Sequence, residues 1–302
     1  MTPPAWSDWQ DVPTRAPLDP AVLAETLDGG QAFRWRRSDD GTWIGVFGPH
    51  AARLSLNPVG RLRWSAPAAL APTTGPALAR YLDGNGEPHD LTDSLPWRSD
   101  AHLACCLAAF RGLRILRQPF DETLLCFLCS ATKQIVQIKQ MVALLAERHG
   151  APLLERSAFS EQPSLLPWRL PTWAELATVP EAQLRACQLG FRARFIHETA
   201  QFLAARPGWL EETEALAYAV AKERLCSLPG VGEKVADCVL LFGAGRLEAF
   251  PVDTWILKAM AARYGLHGWK PAQVAHFGRA HFGPLAGLAQ QYLFSWERRQ
   301  PR

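Results

Sequence analysis

The chain is poor in the features that would place it in a membrane, outside the cell or around a metal. No apolar run approaches the ~18 residues that a membrane-spanning helix needs. The opening MTPPAWSDWQ has no basic-then-apolar secretion pattern, so a secreted protein is not expected. Seven cysteines are present, an odd number. Only Cys126 and Cys129 make a C-x-x-C pair, and no second pair or nearby histidine pair completes a zinc set. That pair lies in the apolar run LLCFLC, which reads as a helix with reduced, buried thiols. Charge of one sign is also scarce: 32 Lys and Arg stand against 29 Asp and Glu, a net +3. This mild basicity permits a nucleic-acid partner without requiring one. No fixed-period repeat occurs, which removes solenoids and propellers.

What is present is ordinary globular material, 48% hydrophobic and 20% charged over 302 residues, enough for a sizeable core in about two domains. The first hundred residues carry short runs, Trp43–Phe47, Arg53–Leu56 and Arg61–Trp64, punctuated by Asp40-Gly41, Gly48-Pro49 and Asn57-Pro58. They read as an antiparallel meander, with helix limited to about 20–27 and 75–82. After Gly84-Asn85-Gly86 and Pro96, helical periodicity takes over. Helices are expected at about 99–110, 121–130, 133–149, 173–178, 181–187, 192–206, 211–221, 222–227, 233–242, 253–264, 271–281 and 285–297. Asp100, Asp121 and Asp253 are the expected caps, and the proline-rich 150–172 reads as loop. The fold class is therefore α+β: an N-terminal antiparallel β domain, 1–97, and an α-helical domain, 98–302.

The segment Leu225–Cys238 carries the chemistry. A helix ends near Leu228, Pro229-Gly230-Val231-Gly232 makes a hairpin, and a second helix starts near Glu233, giving a helix–hairpin–helix at about 222–242. Glycine lets the backbone turn and approach a second surface, and amides beside a helix N-terminus cradle an anion. Gly230, Val231 and Gly232 would thus grip a DNA phosphate, which carries no base information. A plain turn between two helices is the bland alternative. Lys234 sits on the first turn of the second helix, where the helix dipole and partial burial both favour a neutral, nucleophilic amine. Downstream comes Phe250-Pro-Val-Asp253-Thr-Trp255, with Asp253 nineteen residues after Lys234. Asp253 is either only an N-cap or a cap whose charge also enters the Lys234 pocket; spacing does not separate the two.

Hairpin, lysine and Pro-Val-Asp in this order resemble the helix–hairpin–helix DNA glycosylase superfamily. Along nearly its whole length the chain is similar to the 8-oxoguanine DNA glycosylases. The segments that carry this are Gly30-Gln-Ala-Phe-Arg-Trp35, Leu113–Gln118, Leu189–Arg194 and Ala289–Phe294, in the family's order. The resemblance implies that Lys234 attacks the sugar C1′ and that Asp253 stabilises the positive charge developing there. A Schiff base and β-elimination then nick the strand. It further implies that the everted base is recognised by the Gly30 carbonyl, stacked between Cys238 and Phe294, and read on its edge by Gln290. The orphaned base and wedge positions fall on Thr132, Gln137, Phe191 and Arg192.

Several of these depart from the family pattern. Thr132 stands at an asparagine position, Gln137 at an arginine that contacts the orphaned cytosine, and Phe191 at a tyrosine wedge. Arg192 keeps the remaining cytosine-reading arginine, but the fork donors lost at Gln137 weaken the bidentate readout of cytosine, so looser discrimination of the opposite base is expected. Trp255 replaces a phosphate-side histidine. The spacing C-x6-C-x2-C-x5-C is missing, which argues against the iron–sulfur branch of the superfamily. The expectations are an enzyme without metal or cofactor, a monomer whose partner is double-stranded DNA containing oxidised guanine, and no protein or membrane partner. It would work in a bacterial nucleoid or a eukaryotic nucleus. Two other readings remain. One is an alkylated-base glycosylase, which the twelve tryptophans allow and Lys234 opposes; the other is a non-catalytic helix–hairpin–helix DNA-binding protein.

Overall fold

The computed structural model describes residues 6–13, 16–83, 88–154 and 168–300. The Gly84–Gly86 break and residues 155–167 of the proline-rich stretch lie outside them. The amino-terminal part is a five-stranded antiparallel sheet in the order β1-β5-β4-β3-β2. Its strands are β1 (Gln10–Asp11), β2 (Trp35–Arg37), β3 (Trp43–Phe47), β4 (His50–Leu56) and β5 (Leu62–Ser65). Strands β3 and β4 pair through Phe47 and His50 across Gly48-Pro49, with Gly48 at φ +52°, the backbone that such tight hairpins require. The aromatic and aliphatic pairs Trp43–Leu54 and Leu54–Trp64 fix the register along the meander. Strands β1 and β2 escaped the sequence reading. Two and three residues long, they carry no alternation of their own and exist because neighbours pair with them.

The α+β division expected from sequence is present. Helices α1 (Pro20–Asp28), α2 (Ala71–Asp83) and α3 (Pro88–Asp93) accompany the sheet. They are followed by α4 (Ala101–Ala109), α5 (Phe120–Leu128) and α6 (Ile135–His149). A short ladder, β6 (Ala151–Pro152) with β7 (Trp168–Arg169), comes next. Then come α7 (Trp173–Ala177), α8 (Glu181–Leu184), α9 (Arg192–Ala204), α10 (Trp209–Ala215) and α11 (Tyr218–Cys226). The chain ends with α12 (Glu233–Phe242), α13 (Thr254–Tyr264), α14 (Pro271–Phe282) and α15 (Ala286–Arg299).

Three sequence expectations need correction. The helix expected at 211–221 breaks at Leu216-Ala217, in extended backbone, so 218–221 belong to α11. Asp121 does not cap α5: the capping position is Pro119, and Asp121 lies in the first turn, where its charge meets the helix dipole. The helix expected at 181–187 widens into a π-type turn over Arg185–Leu189 and ends with Gln188 at φ +62°. Among the thiols, Cys105 is exposed and Cys226 half-buried; the other five are buried.

Helices α5 and α12 form the centre. In α12 every residue from Val235 to Phe242 is buried, and in α5 all but Asp121 and Glu122 are. A helix apolar all round belongs inside a larger core. Phe127 of α5 stacks on Phe242 of α12, ring centres 5.6 Å apart, and Phe33 meets Phe127 edge-on at 5.4 Å. That last contact brings the segment before β2 against the central helices.

Candidate active site

The hairpin between α11 and α12 turns at Gly230, whose φ of +76° calls for glycine. A side chain there would also strike Phe195 of α9, 2.6 Å from an added Cβ. Gly232 is different: its φ is −95°, an ordinary value, and a Cβ would meet nothing within 4 Å. Glycine is therefore required for conformation at Gly230 alone, while Gly232 offers open backbone at the N-terminus of α12. Val231 between them is buried and anchors the turn.

Lys234 follows on the first turn of α12, half-buried. Its Nζ lies 3.4 Å from Ser130 Oγ and 5.1 Å above the ring of Phe127. Its charge also acts on the Asp253 carboxylate and the Cys238 thiol. Asp253 is the N-cap of α13, and its Oδ1 accepts from the amides of Trp255 at 3.0 Å and Ile256 at 2.8 Å. Both cap bonds use Oδ1, which leaves Oδ2 out of the cap. Burial pushes this carboxyl above the usual range, while the Ile256 amide and the Lys234 charge pull it back. Burial pushes the Cys238 thiol up to about 11. Asp253 therefore caps α13, and its carboxylate lies near enough to Lys234 for the two charges to act on each other.

The remaining pocket residues come from far apart in the chain. Gly30 has φ +104°, and a Cβ added to it would lie 2.9 Å from Ile135 Cδ1 and 3.6 Å from Phe294 Cε1. Gly30 is held there by its neighbours. Gln31, fully buried, donates Nε2 to the Arg114 carbonyl and accepts from the Leu116 amide, both at 2.9 Å. Its own carbonyl accepts from Gln118 Nε2 at 2.6 Å. On the other side Arg298 donates to the Gly29 carbonyl at 2.6 Å. Among the described residues no group donates to the Gly30 carbonyl. Gln290 of α15 donates Nε2 to the Pro251 carbonyl at 3.1 Å, two residues before Asp253, and its buried Oε1 has no partner among the described residues. An orphaned buried acceptor is costly unless a ligand completes it. The half-buried Phe294 ring thus lies within reach of the Gly30 backbone, although the two are 264 residues apart in the chain. Two surface cavities, of about 150 and 470 Å³, lie elsewhere, against Glu122 and along α1.

A second cluster sits on the loop after α5. Arg192 is buried and donates to the Leu189 carbonyl at 3.1 Å, to the Ala131 carbonyl, and to Thr132 Oγ1 at 2.9 Å. Thr132 takes the left-handed backbone at φ +55°. Phe191 is 53% exposed, its ring 4.3 Å from the Arg192 guanidinium carbon. Gln137 is exposed and caps α6 instead, its Oε1 accepting from the Gln134 amide at 3.2 Å. Ser130, Phe127 and Ile135 all touch the site and escaped the sequence reading. Nothing local marks them, because each acts across the core on a residue distant in sequence.

Residues 15–124 match the family model described as 8-oxoguanine DNA glycosylase, N-terminal domain. Residues 125–280 match the HhH-GPD superfamily base excision DNA repair protein model. The chain is 30% identical over 291 residues to the N-glycosylase/DNA lyase OGG1 of Arabidopsis thaliana, covering 90% of this chain and 76% of that protein. It is 32% identical over 226 residues to a probable N-glycosylase/DNA lyase of Methanothermobacter thermautotrophicus, covering 70% and 71%. Among solved structures it resembles Clostridium acetobutylicum 8-oxoguanine glycosylase/lyase in complex with dsDNA containing cytosine opposite 8-oxoG. There the TM-score is 0.81 at 30% identity, over 91% of both chains. A 3-methyladenine DNA glycosylase from Archaeoglobus fulgidus shares the fold, with a TM-score of 0.74 at 19% identity.

Proposed function

Because the chain belongs to the HhH-GPD superfamily of base excision DNA repair proteins, on its 8-oxoguanine glycosylase branch, we propose that Lys234 is its nucleophile and Asp253 its charge-stabilising carboxylate. The enzyme is a DNA glycosylase with an associated lyase: it excises 8-oxoguanine from duplex DNA and nicks the strand. The observation that carries the residue assignment is the meeting of three groups. Lys234 and the buried Cys238 lie one turn apart on α12, and the Asp253 carboxylate at the α13 cap is near enough for its charge to interact with both.

The steps join that site to the roles implied by the family resemblance. The hairpin backbone at Gly230–Gly232 holds a phosphate, and Phe191 fills the stack as the damaged nucleotide swings out. The base lodges between Cys238 and Phe294. The Gly30 carbonyl accepts from the N7–H that 8-oxoguanine has and guanine lacks, a difference of about 1–3 kcal/mol. Gln290 Oε1 takes a donor on the base edge. The Lys234 nitrogen forms a bond to C1′ as the glycosidic bond breaks, the departing base takes up the proton that the nitrogen sheds, and Asp253 faces the charge on the sugar. The adduct opens to a Schiff base with C1′. Loss of a C2′ proton then expels the 3′ phosphate. The helical domain 98–302 supplies the catalytic pair, and the β domain 1–97 supplies Gly30.

Borohydride trapping on duplex DNA containing 8-oxoguanine tests the assignment. Wild type gives a covalent adduct; Lys234→Gln gives none and no base release, while it still binds duplex. Nicking retained by Lys234→Gln would exclude the lysine.

A further inference from the structure

The geometry points to Ser130 as a positioning residue that keeps the electron pair of the Lys234 amine turned toward the sugar, an inference that rests on the Schiff-base chemistry above. Ser130 follows α5 and is 9% exposed. Its Oγ lies 2.7 Å from the Phe127 carbonyl oxygen and 3.4 Å from Lys234 Nζ. A carbonyl only accepts, so the single hydroxyl proton goes to Phe127. Toward Lys234 the oxygen then offers lone pairs alone. It takes an N–H from the amine and cannot donate into the nitrogen's electron pair. A serine free to rotate could do the reverse and cap the pair that must attack C1′.

A second neighbour acts in the same sense. The Phe127 ring lies 5.1 Å from Nζ and presents an electron-rich face, which attracts N–H hydrogens and not a lone pair. A neutral amine has two N–H groups and one electron pair. With one hydrogen on Ser130 and the other toward Phe127, the pair points away from the protein floor. The loop beyond is fixed as well: Arg192 ties down Ala131 and Thr132, and the Lys133 amide donates to the Ser130 carbonyl at 3.3 Å. The Ser130–Lys234 contact is long here, as catalytic hydrogen bonds commonly are before substrate binds.

Ser130→Ala isolates the hydroxyl, because the Phe127 carbonyl keeps the Ser130 backbone amide at 3.0 Å and no buried carbonyl is orphaned. The experiment uses the full chain in excess over a duplex with a preformed abasic site and follows borohydride trapping with time. We expect trapping about ten-fold slower in Ser130→Ala, the effect of one hydrogen bond at the reacting nitrogen. The dissociation constant for duplex and the thermal midpoint stay close to wild type, and Ser130→Thr recovers most of the rate. An unchanged trapping rate in Ser130→Ala, or a loss carried entirely by DNA affinity or by folding, overturns the role of Ser130 while the Schiff base stands. No adduct with wild type removes the Schiff-base reading and this inference together.

Discussion

Gly30→Ala separates the base pocket from the nucleophile. The added methyl has two effects. Gly30 sits at φ +104°, where an L side chain is strained by about 1–3 kcal/mol. The new Cβ lies 2.9 Å from Ile135 Cδ1, against an ordinary carbon contact of about 3.5–4.0 Å, so the end of Ile135 must give way. Overpacking of this kind adds about 1–3 kcal/mol, less where a flexible side-chain end yields. A destabilisation of about 2–4 kcal/mol is expected, read by urea unfolding. The methyl also points toward Phe294, 3.6 Å from its ring edge, where the proposed base slot lies. Loss of the carbonyl contact and of slot width should slow excision of 8-oxoguanine by about 10²–10³. A preformed abasic site has no base to insert, so its nicking by Lys234 should stay within a few-fold of wild type. Excision and abasic-site nicking falling together would refute the slot. Excision left intact would show that Gly30 is only a turn residue.

Asp253→Asn should slow base release by at least ~10² in single-turnover assays, because charge stabilisation is lost. Asparagine caps as well as aspartate, so stability should change little; a near-normal rate would leave Asp253 a cap only. Excision opposite C, A, G and T should differ by no more than about ten-fold. The reason is that the Arg192 guanidinium is bonded to Leu189, Ala131 and Thr132, and Gln137 is exposed and caps α6. A steep preference for cytosine would show that Arg192 leaves these partners on DNA binding. Burial pushes the Glu122 carboxyl up to about 7, beside the β3–β4 turn. The folded protein therefore holds this proton where the unfolded chain has lost it. The stability due to the protonated form is complete below about 4.5 and is lost as pH rises through about 7. Glu122→Gln should match wild type near pH 4.5 and exceed it at pH 8 by about 1–3 kcal/mol, a range set by the half-buried side chain. A difference independent of pH would exclude the titration.

The features legible in the sequence are those whose cause is local. The Pro229–Gly232 hairpin is written in its own residues, because a backbone at Gly230 φ +76° needs glycine whatever surrounds it. The Asp253 cap is local too, since Asp253 bonds the amides two and three residues on. The β3–β4 hairpin and the buried runs of α5 and α12 carry their own turn chemistry and apolar content. The base-pocket residues were legible only through family resemblance, because composition and spacing give Gly30 and Phe294 no reason to meet. The break at Leu216-Ala217 and the strands β1 and β2 were not legible, being decided by partners elsewhere in the chain.

By itself, then, the chain determined a tight hairpin, a lysine on the first helical turn after it and a capping aspartate downstream. Only the packed molecule decided that Gln31 anchors the backbone beside Gly30 to Arg114 and Leu116, that Arg192 is bonded to the loop after α5, and that a serine hydroxyl already committed to Phe127 meets the amine. Those contacts join residues from different helices across the core, and a side chain's hydrogen-bonding role there is set by which partner can only accept, a property of the assembled neighbourhood.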